Sequence, residues 1–354
     1  DIRVESNLTD GPSAGIYITN YSTVEINNAT ITNNNEIGIY VYDGSEVDIT
    51  NSNINNNSGS GIYAGSNVSS VDISYSIISN NGGNAGIDLV GIPANISNVL
   101  IANNNGTQAG GIQCSGDGVT VNVINSTIVD NSSSNSLGDG ITCWFNANLY
   151  LINSIVSQDD GVSIYLGVEN NSDFPGTAYI SYSDIIGGES QIVLNSNSTV
   201  EWLEGNIDTD PLFTDPDNGD YTLQPTSPCI DAGDPESEYD PDGTRADMGA
   251  YPFEQIQNTI ELHTGQNLIS FYAIPKDNSV GNVLSSLDGV VEGIIGQGEA
   301  SSPIPNFGWA GSLTEINSNS GYWLKVNEDT DFSVTSENLS DINMGYKDEL
   351  VRSM

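Results

Sequence analysis

Seven times between Gly15 and Ile164 the chain repeats a glycine, then Ile or Val, then one variable residue, then an apolar one. The copies read Gly15-Ile16-Tyr17-Ile18, Gly38-Ile39-Tyr40-Val41, Gly61-Ile62-Tyr63-Ala64 and Gly86-Ile87-Asp88-Leu89. They continue as Gly111-Ile112-Gln113-Cys114, Gly140-Ile141-Thr142-Cys143 and Gly161-Val162-Ser163-Ile164. A second motif, apolar-x-[Asn/Tyr]-x-x-apolar, keeps step with the first. Its central residues are Asn28, Asn51, Tyr75, Asn98, Asn125, Asn153 and Tyr182, spaced 23, 24, 23, 27, 28 and 29 apart. Each copy holds short alternating strands between Asn/Gly/Ser turns. A unit this small cannot bury its apolar residues alone, and stacking the copies buries them in one column. The Leu-x-x-Leu-x-Leu signature of the rival leucine-rich solenoid is missing. The prediction is an all-β chain: a right-handed parallel β-helix of about seven coils, followed by a small, mainly-β module. Rungs about 4.8 Å apart give a rod of roughly 35 Å. Asn at a fixed place in each coil predicts a ladder of side-chain amides along the axis.

Charge narrows what such a rod can meet. The chain carries 47 Asp/Glu against 6 Lys/Arg, a formal net charge of −41. Residues 1–255 hold 34 acidic residues, opposed only by Arg3 and Arg245, and no Lys or His. No basic patch exists to hold phosphate, so nucleic acid and anionic membrane surfaces are not expected partners. Anionic polymers are repelled too, unless cations bridge them. No run of 18 apolar residues occurs, so no membrane insertion is expected. The chain begins at Asp1 without Met and reads as a processed or truncated piece. Its first coil starts in mid-pattern without an amphipathic capping helix. That end either lacks upstream residues or pairs with something, so self-association is an expectation.

The divisions read from sequence are coils over 1–204, an acidic Pro/Gly/Asp-rich cap over 205–255, a small β-rich module over 256–338 and a linker or truncated tail over 339–354. The cap contains Asp210-Pro211-Leu212-Phe213, Ser227-Pro228-Cys229-Ile230-Asp231-Ala232-Gly233 and Asp240-Pro241-Asp242-Gly243-Thr244-Arg245-Ala246-Asp247. These runs closely resemble the ending of many secreted bacterial right-handed β-helix proteins. The resemblance covers about residues 1–255. It implies a secreted or cell-surface location and no single activity. In the module, Asn267-Leu268-Ile269-Ser270-Phe271 and Gly321-Tyr322-Trp323-Leu324-Lys325-Val326 resemble a C-terminal module of secreted proteins, often placed before a type IX sorting signal. Asn278 to Leu287 reads as one short helix.

Alternation along the Gly-Ile strands points Tyr17, Tyr40 and Tyr63 outward in one column, with Asp88, Gln113, Thr142 and Ser163 after them. Beside it runs a column with Tyr42, Trp144 and Tyr165. Aromatic faces with nearby acceptors suit sugar rings, so Tyr17, Tyr40, Tyr42, Tyr63, Trp144 and Tyr165 are the candidate ligand-binding residues. The plainer alternative is that tyrosine packs well on a β surface. Cys114 and Cys143 occupy the same inward place on adjacent coils, near enough for a disulfide but better read as buried thiols.

Asp159-Asp160-Gly161-Val162-Ser163-Ile164 resembles the Asp-Asp-Cys-[Ile/Val]-[Ala/Ser]-[Ile/Val] motif of the polygalacturonase family, also a β-helix. Asp139 stands one coil earlier, at the place of Asp160. The resemblance implies Asp139, Asp159 and Asp160 as a catalytic carboxylate set. The family's Gly-His-Gly and Arg-Ile-Lys motifs have no counterpart, which puts hydrolysis in doubt. Lyase chemistry on an Arg or Lys base finds no Lys in these coils and no Arg beyond Arg3. Asp231, Asp234, Asp240, Asp242 and Asp247 crowd carboxylates into a Gly-bearing loop and are the expected calcium ligands. No organic cofactor is expected. His263 lies in the module with no evident partner.

Three readings follow: a non-catalytic adhesion or glycan-binding β-helix whose partner is a polysaccharide or cell-surface glycan, a carboxylate-based polysaccharide hydrolase, or a structural rod assembling end to end.

Overall fold

A computed structural model of the chain describes residues 2–5, 14–65, 67–135, 137–158, 161–168, 173–195, 197–271, 274–275, 277–305 and 307–336. Two compact units emerge, Asp1–Phe253 and Glu254–Met354. The first is built on three parallel sheets of eight strands each. Sheet 1 runs from Ile2–Glu5 to Asp184–Ile185, sheet 2 from Ala14–Ile18 to Ile192–Leu194, and sheet 3 from Thr23–Asn27 to Thr199–Trp202. The chain visits each sheet once per coil, so strands pair one coil apart in parallel register: Ile39 with Ile62, Ile49 with Ile73, Ile78 with Ile101. The inward residues of all three sheets, mostly Ile, Val and Leu, fuse into one buried column from Ile18 to Ile192. No strand could bury such residues alone; stacking supplies the second surface. The coils extend past the last recognisable copy, through the strand Ile192–Leu194 that lacks the Gly-Ile signature.

The second motif marks a turn. Asn28, Asn51, Tyr75, Asn98, Asn125, Asn153 and Tyr182 all have φ between +46° and +56°, the left-handed conformation that Asn tolerates best among residues with a side chain. Each bends the chain from sheet 3 into sheet 1. The predicted ladder of amides exists, but elsewhere. Between sheets 1 and 2, Asn34 Nδ2 donates to Asn57 Oδ1 (2.8 Å), Asn57 to Asn81 (2.9 Å), Asn81 to Asn104 (3.0 Å) and Asn104 to Asn131 (2.9 Å). Gln158 closes the series, accepting from the Asn131 backbone N–H at 2.7 Å. The ladder explains the repeated glycine. A Cβ on Gly38 would lie 2.5 Å from the Gly61 carbonyl oxygen and 2.9 Å from Asn57 Nδ2. Only glycine lets the chain pass this close over the amides.

Register corrects one copy of the repeat. Ile141 pairs with Ile164 and Thr142 with Tyr165, while the Ile141 N–H donates to the Ser163 carbonyl. The seventh copy therefore begins at Ser163, two residues later than Gly161-Val162-Ser163-Ile164 implies. Cys114 pairs with Cys143 as expected. Both are buried free thiols, and so is Cys229.

Residues 205–253 lie along the outer face of sheet 1. Tyr221, Phe213 and Tyr251 pack on Leu100, Ala102 and Val129, and Leu223, Cys229 and Met248 pack on Ile155. The segment is pinned by polar contacts as well: the Ala250 N–H donates to Thr127 Oγ1 (2.9 Å) and the Asp234 N–H to Asn153 Oδ1 (2.6 Å).

The second unit pairs Ile256–Leu262 with Thr330–Ser336 and forms a five-stranded antiparallel sheet from Gly265–Ser270 to Gly308–Gly311. The short helix falls where the sequence predicts it, over Val280–Val283, with Ser279 as N-cap and a 3-10 turn at Ser285–Leu287. Its core holds Phe271, Leu284, Ile294, Leu324 and Phe332.

Candidate binding cleft

Tyr17, Tyr40 and Tyr63 do form the predicted column on the outside of sheet 2. Their rings stack along the rod axis, with centroids 4.9 Å apart at both steps and interplanar angles of 9° and 25°. Tyr42 leans on Tyr40 at 6.2 Å and lies against Gly65. Stacking has a consequence for recognition: the ring faces meet each other, so the column offers edges and hydroxyls rather than faces. The plainer alternative accounts for this part of the surface, because rungs about 4.8 Å apart suit aromatic stacking.

Beyond Tyr63 the column disappears under loops. Asp88, Gln113 and Thr142 are buried, Thr142 Oγ1 donates to the Gln108 carbonyl (3.1 Å), and Tyr165 is only 6% exposed. Tyr165 is thus not a surface aromatic, and it stands behind Thr142 rather than Trp144. Asp88 Oδ2 accepts from Asn84 Nδ2 at 2.8 Å. Among the described residues its Oδ1 has no hydrogen-bond partner. Burial pushes this carboxyl up to about 6.

Trp144 belongs to a different group. It meets Phe145 edge-on at 5.9 Å, and Phe145 meets Phe174 at 4.2 Å with the rings tilted by 44°. The Phe145 and Phe174 rings line a cleft of about 370 Å³ where successive turns from sheet 2 to sheet 3 stack. Its walls are Val90, Gly91, Ser115, Gly116, Asp117, Phe145, Asn146, Asp173 and Phe174. Glycines make it possible: Gly116 has φ +139°, and a Cβ there would sit 2.6 Å from Gly91 Cα. Phe145 and Asn146 both adopt left-handed backbone, φ 57° and 63°, a costly conformation for a bulky ring. It leaves Phe145 38% exposed. Asn146 Nδ2 donates to Asp117 Oδ1 at 3.0 Å, setting a carboxylate beside the rings. Tilted rings over a narrow backbone floor, with acceptors at the rim, can hold a ligand with both apolar faces and polar groups. Of the aromatics singled out from sequence, Trp144 alone adjoins this cleft. Phe145 and Phe174 stand in turns, outside any period.

Of the carboxylate set read from sequence, only Asp139 lies among the described residues. Asp139 lies opposite Val162: its Oδ2 accepts from the Val162 N–H (2.9 Å) and its Oδ1 from the Ser133 N–H (2.6 Å). Both oxygens are committed to backbone amides, which suits a turn brace. Asp159 and Asp160 lie outside the described residues. Asp139 does line an open polar groove of about 660 Å³, together with Asp130, Gln158 and Asp217.

In the 231–247 loop, Asp234, Asp240, Asp242 and Asp247 likewise accept from backbone amides. Asp247 accepts from the N–H groups of Asp231 and Phe253, both at 2.6 Å, and its own N–H donates to Asp240 Oδ2 at 2.8 Å. Asp242 accepts from Thr244, and Asp234 from the Glu236 N–H. Among the described residues no group of three or more His, Cys, Asp or Glu side chains is placed to hold a metal ion. Arg245 Nε donates to the Gly233 carbonyl, and its guanidinium lies 5.8 Å over the Tyr182 ring. Burial pushes Asp247 up to about 7 and Asp240 to about 6, with neighbouring carboxylates adding to both. His263 hydrogen-bonds Asn267 at a strand turn.

Residues 14–174 match the family model for the right-handed β-helix region. The chain carries a right-handed parallel β-helix. No curated protein and no solved structure matches it. A β-helix fits a carbohydrate-related or structural role in general.

Proposed function

We propose that this protein is a non-catalytic glycan-binding β-helix working outside the cell or at its surface, with its ligand seated in the cleft lined by Phe145 and Phe174. The observation that carries the reading is the pair of tilted rings over the Gly91–Gly116 floor, beside the Asp117–Asn146 hydrogen bond. Sugars offer C–H faces to rings and hydroxyls to carboxylates and amides, and both partners are present within one cleft. The Tyr17–Tyr40–Tyr63 stack takes a structural part, stiffening the first coils. The secreted or surface location rests on the resemblance of the 205–253 segment and on a charge of −41 that suits a salt-screened medium.

A polysaccharide array probed with the whole chain tests the reading, alongside Phe174→Ala and Tyr40→Phe variants. Binding that is lost in Phe174→Ala and kept in Tyr40→Phe is the expected result. Binding indifferent to Phe174→Ala would remove the cleft from the proposal. Release of reducing ends from a bound polysaccharide would replace adhesion with hydrolysis.

A further inference from the structure

The cleft carries two features that together select for charge. Phe145 and Phe174 line it, and aromatic rings carry a negative quadrupole that attracts a cation. Asp117 and Asp173 line the same space, with Asp117 oriented by Asn146. Among the described residues no cationic side chain lines it, and the first 255 residues hold only two, Arg3 and Arg245. A neutral sugar would use the rings and offer the acids only hydroxyl donors. An ammonium group would use both, since it donates charge-assisted hydrogen bonds to carboxylates while lying against a ring. A uronic acid is repelled on every side.

We infer that the cleft selects a cationic sugar, a hexosamine unit bearing a free amine, over its N-acetylated or hydroxyl counterpart. This rests on the glycan reading above and names the class of sugar it favours.

Calorimetric titration of the whole chain at low ionic strength tests it, using tetramers of glucosamine, N-acetylglucosamine and glucose as probes. The glucosamine tetramer is expected to bind about tenfold tighter than the other two. In an Asp117→Asn/Asp173→Asn variant that advantage falls below about threefold, while affinity for the uncharged tetramers is kept. An Asp48→Asn/Asp72→Asn variant removes the same charge from the outer face of sheet 3 and should leave the preference intact. Equal binding of all three tetramers, abolished by Phe174→Ala, would overturn the charge selection and leave the glycan reading standing. A glucosamine preference that survives Asp117→Asn/Asp173→Asn would assign it to the overall negative charge and overturn the inference. Failure of all three tetramers to bind would overturn the glycan reading and the inference together.

Discussion

Tyr221 donates its hydroxyl proton to Asp130 Oδ2 at 2.6 Å, across 91 residues of sequence. Asn103 Nδ2 donates to the same hydroxyl at 3.1 Å, so one phenol ties the 205–253 segment to turns of two successive coils. The ring itself is buried on Leu100, Ala102 and Val129.

Tyr221→Phe keeps that packing and removes the tie. A hydrogen bond to a charged group contributes about 1.5–3 kcal/mol, so urea unfolding should show a loss in that range. Amide exchange should rise first in Phe213–Asp215 and Asp220–Leu223, the hairpin that holds Tyr221. Unchanged exchange there would mean that apolar packing alone seats the segment.

Two asparagines one turn apart should respond in opposite ways. Asn81 accepts from the N–H and Nδ2 of Asn57 and donates to Asn104 and the Ile54 carbonyl, all buried. Asn81→Ala strands those groups and should cost about 2–4 kcal/mol by guanidinium unfolding. Asn51 is exposed with φ 50°, and Asn51→Gly should shift stability by less than about 1 kcal/mol, because glycine adopts that conformation freely.

The buried carboxyls set an unusual pH dependence. Asp88, Asp184 and Asp240 are pushed up to about 6 and Asp247 to about 7, in each case chiefly by burial. Between the ordinary value near 3.8 and these raised values the folded chain binds more protons than the unfolded one. Their contribution to stability is therefore full at low pH and lost as pH rises through 6 to 7. Melting temperature should be higher at pH 5 than at pH 8, and the difference should persist in 1 M salt, where general charge repulsion is screened. Asp88→Asn should reduce the slope. A melting temperature that rises from pH 5 to pH 8 would contradict it.

The three thiols should be silent in the native protein. Cys114, Cys143 and Cys229 are buried, and burial raises the Cys229 thiol well above its ordinary range, with Asp184 beside it adding to the effect. A chromogenic disulfide reagent should find no reactive thiol in buffer and three per chain in denaturant.

The coils were legible because their period is local. Glycine, αL turn residue and inward Ile recur with each coil, and each has its own steric cause. The seventh copy slipped because Val162 and Ile164 are both apolar and two residues apart. A shift of two preserves the face, so alternation alone cannot choose between them. The covering of sheet 1 left a trace in Leu100-Ile101-Ala102 and Thr127-Ile128-Val129, runs apolar on both faces save for Thr127, as strands buried on both sides require. The site was harder to read. Tyr17, Tyr40 and Tyr63 fell in the predicted column, but whether rings present faces or edges depends on side-chain stacking. Phe145 and Phe174 come from turns of different coils and become neighbours only when those turns stack.

The contact between Tyr221 and Asp130 also orders events in time. Coils close over 22 to 29 residues, so each can settle on the one before it while the chain is still emerging. The tie from Tyr221 spans 91 residues and the one from Ala250 to Thr127 spans 123. Loop closure over such lengths comes late. Until then the outer apolar residues of sheet 1 stand open to water, and the same surface is the one on which an incomplete chain would aggregate. A chain cut short before residue 205 would therefore be a finished rod with a sticky flank.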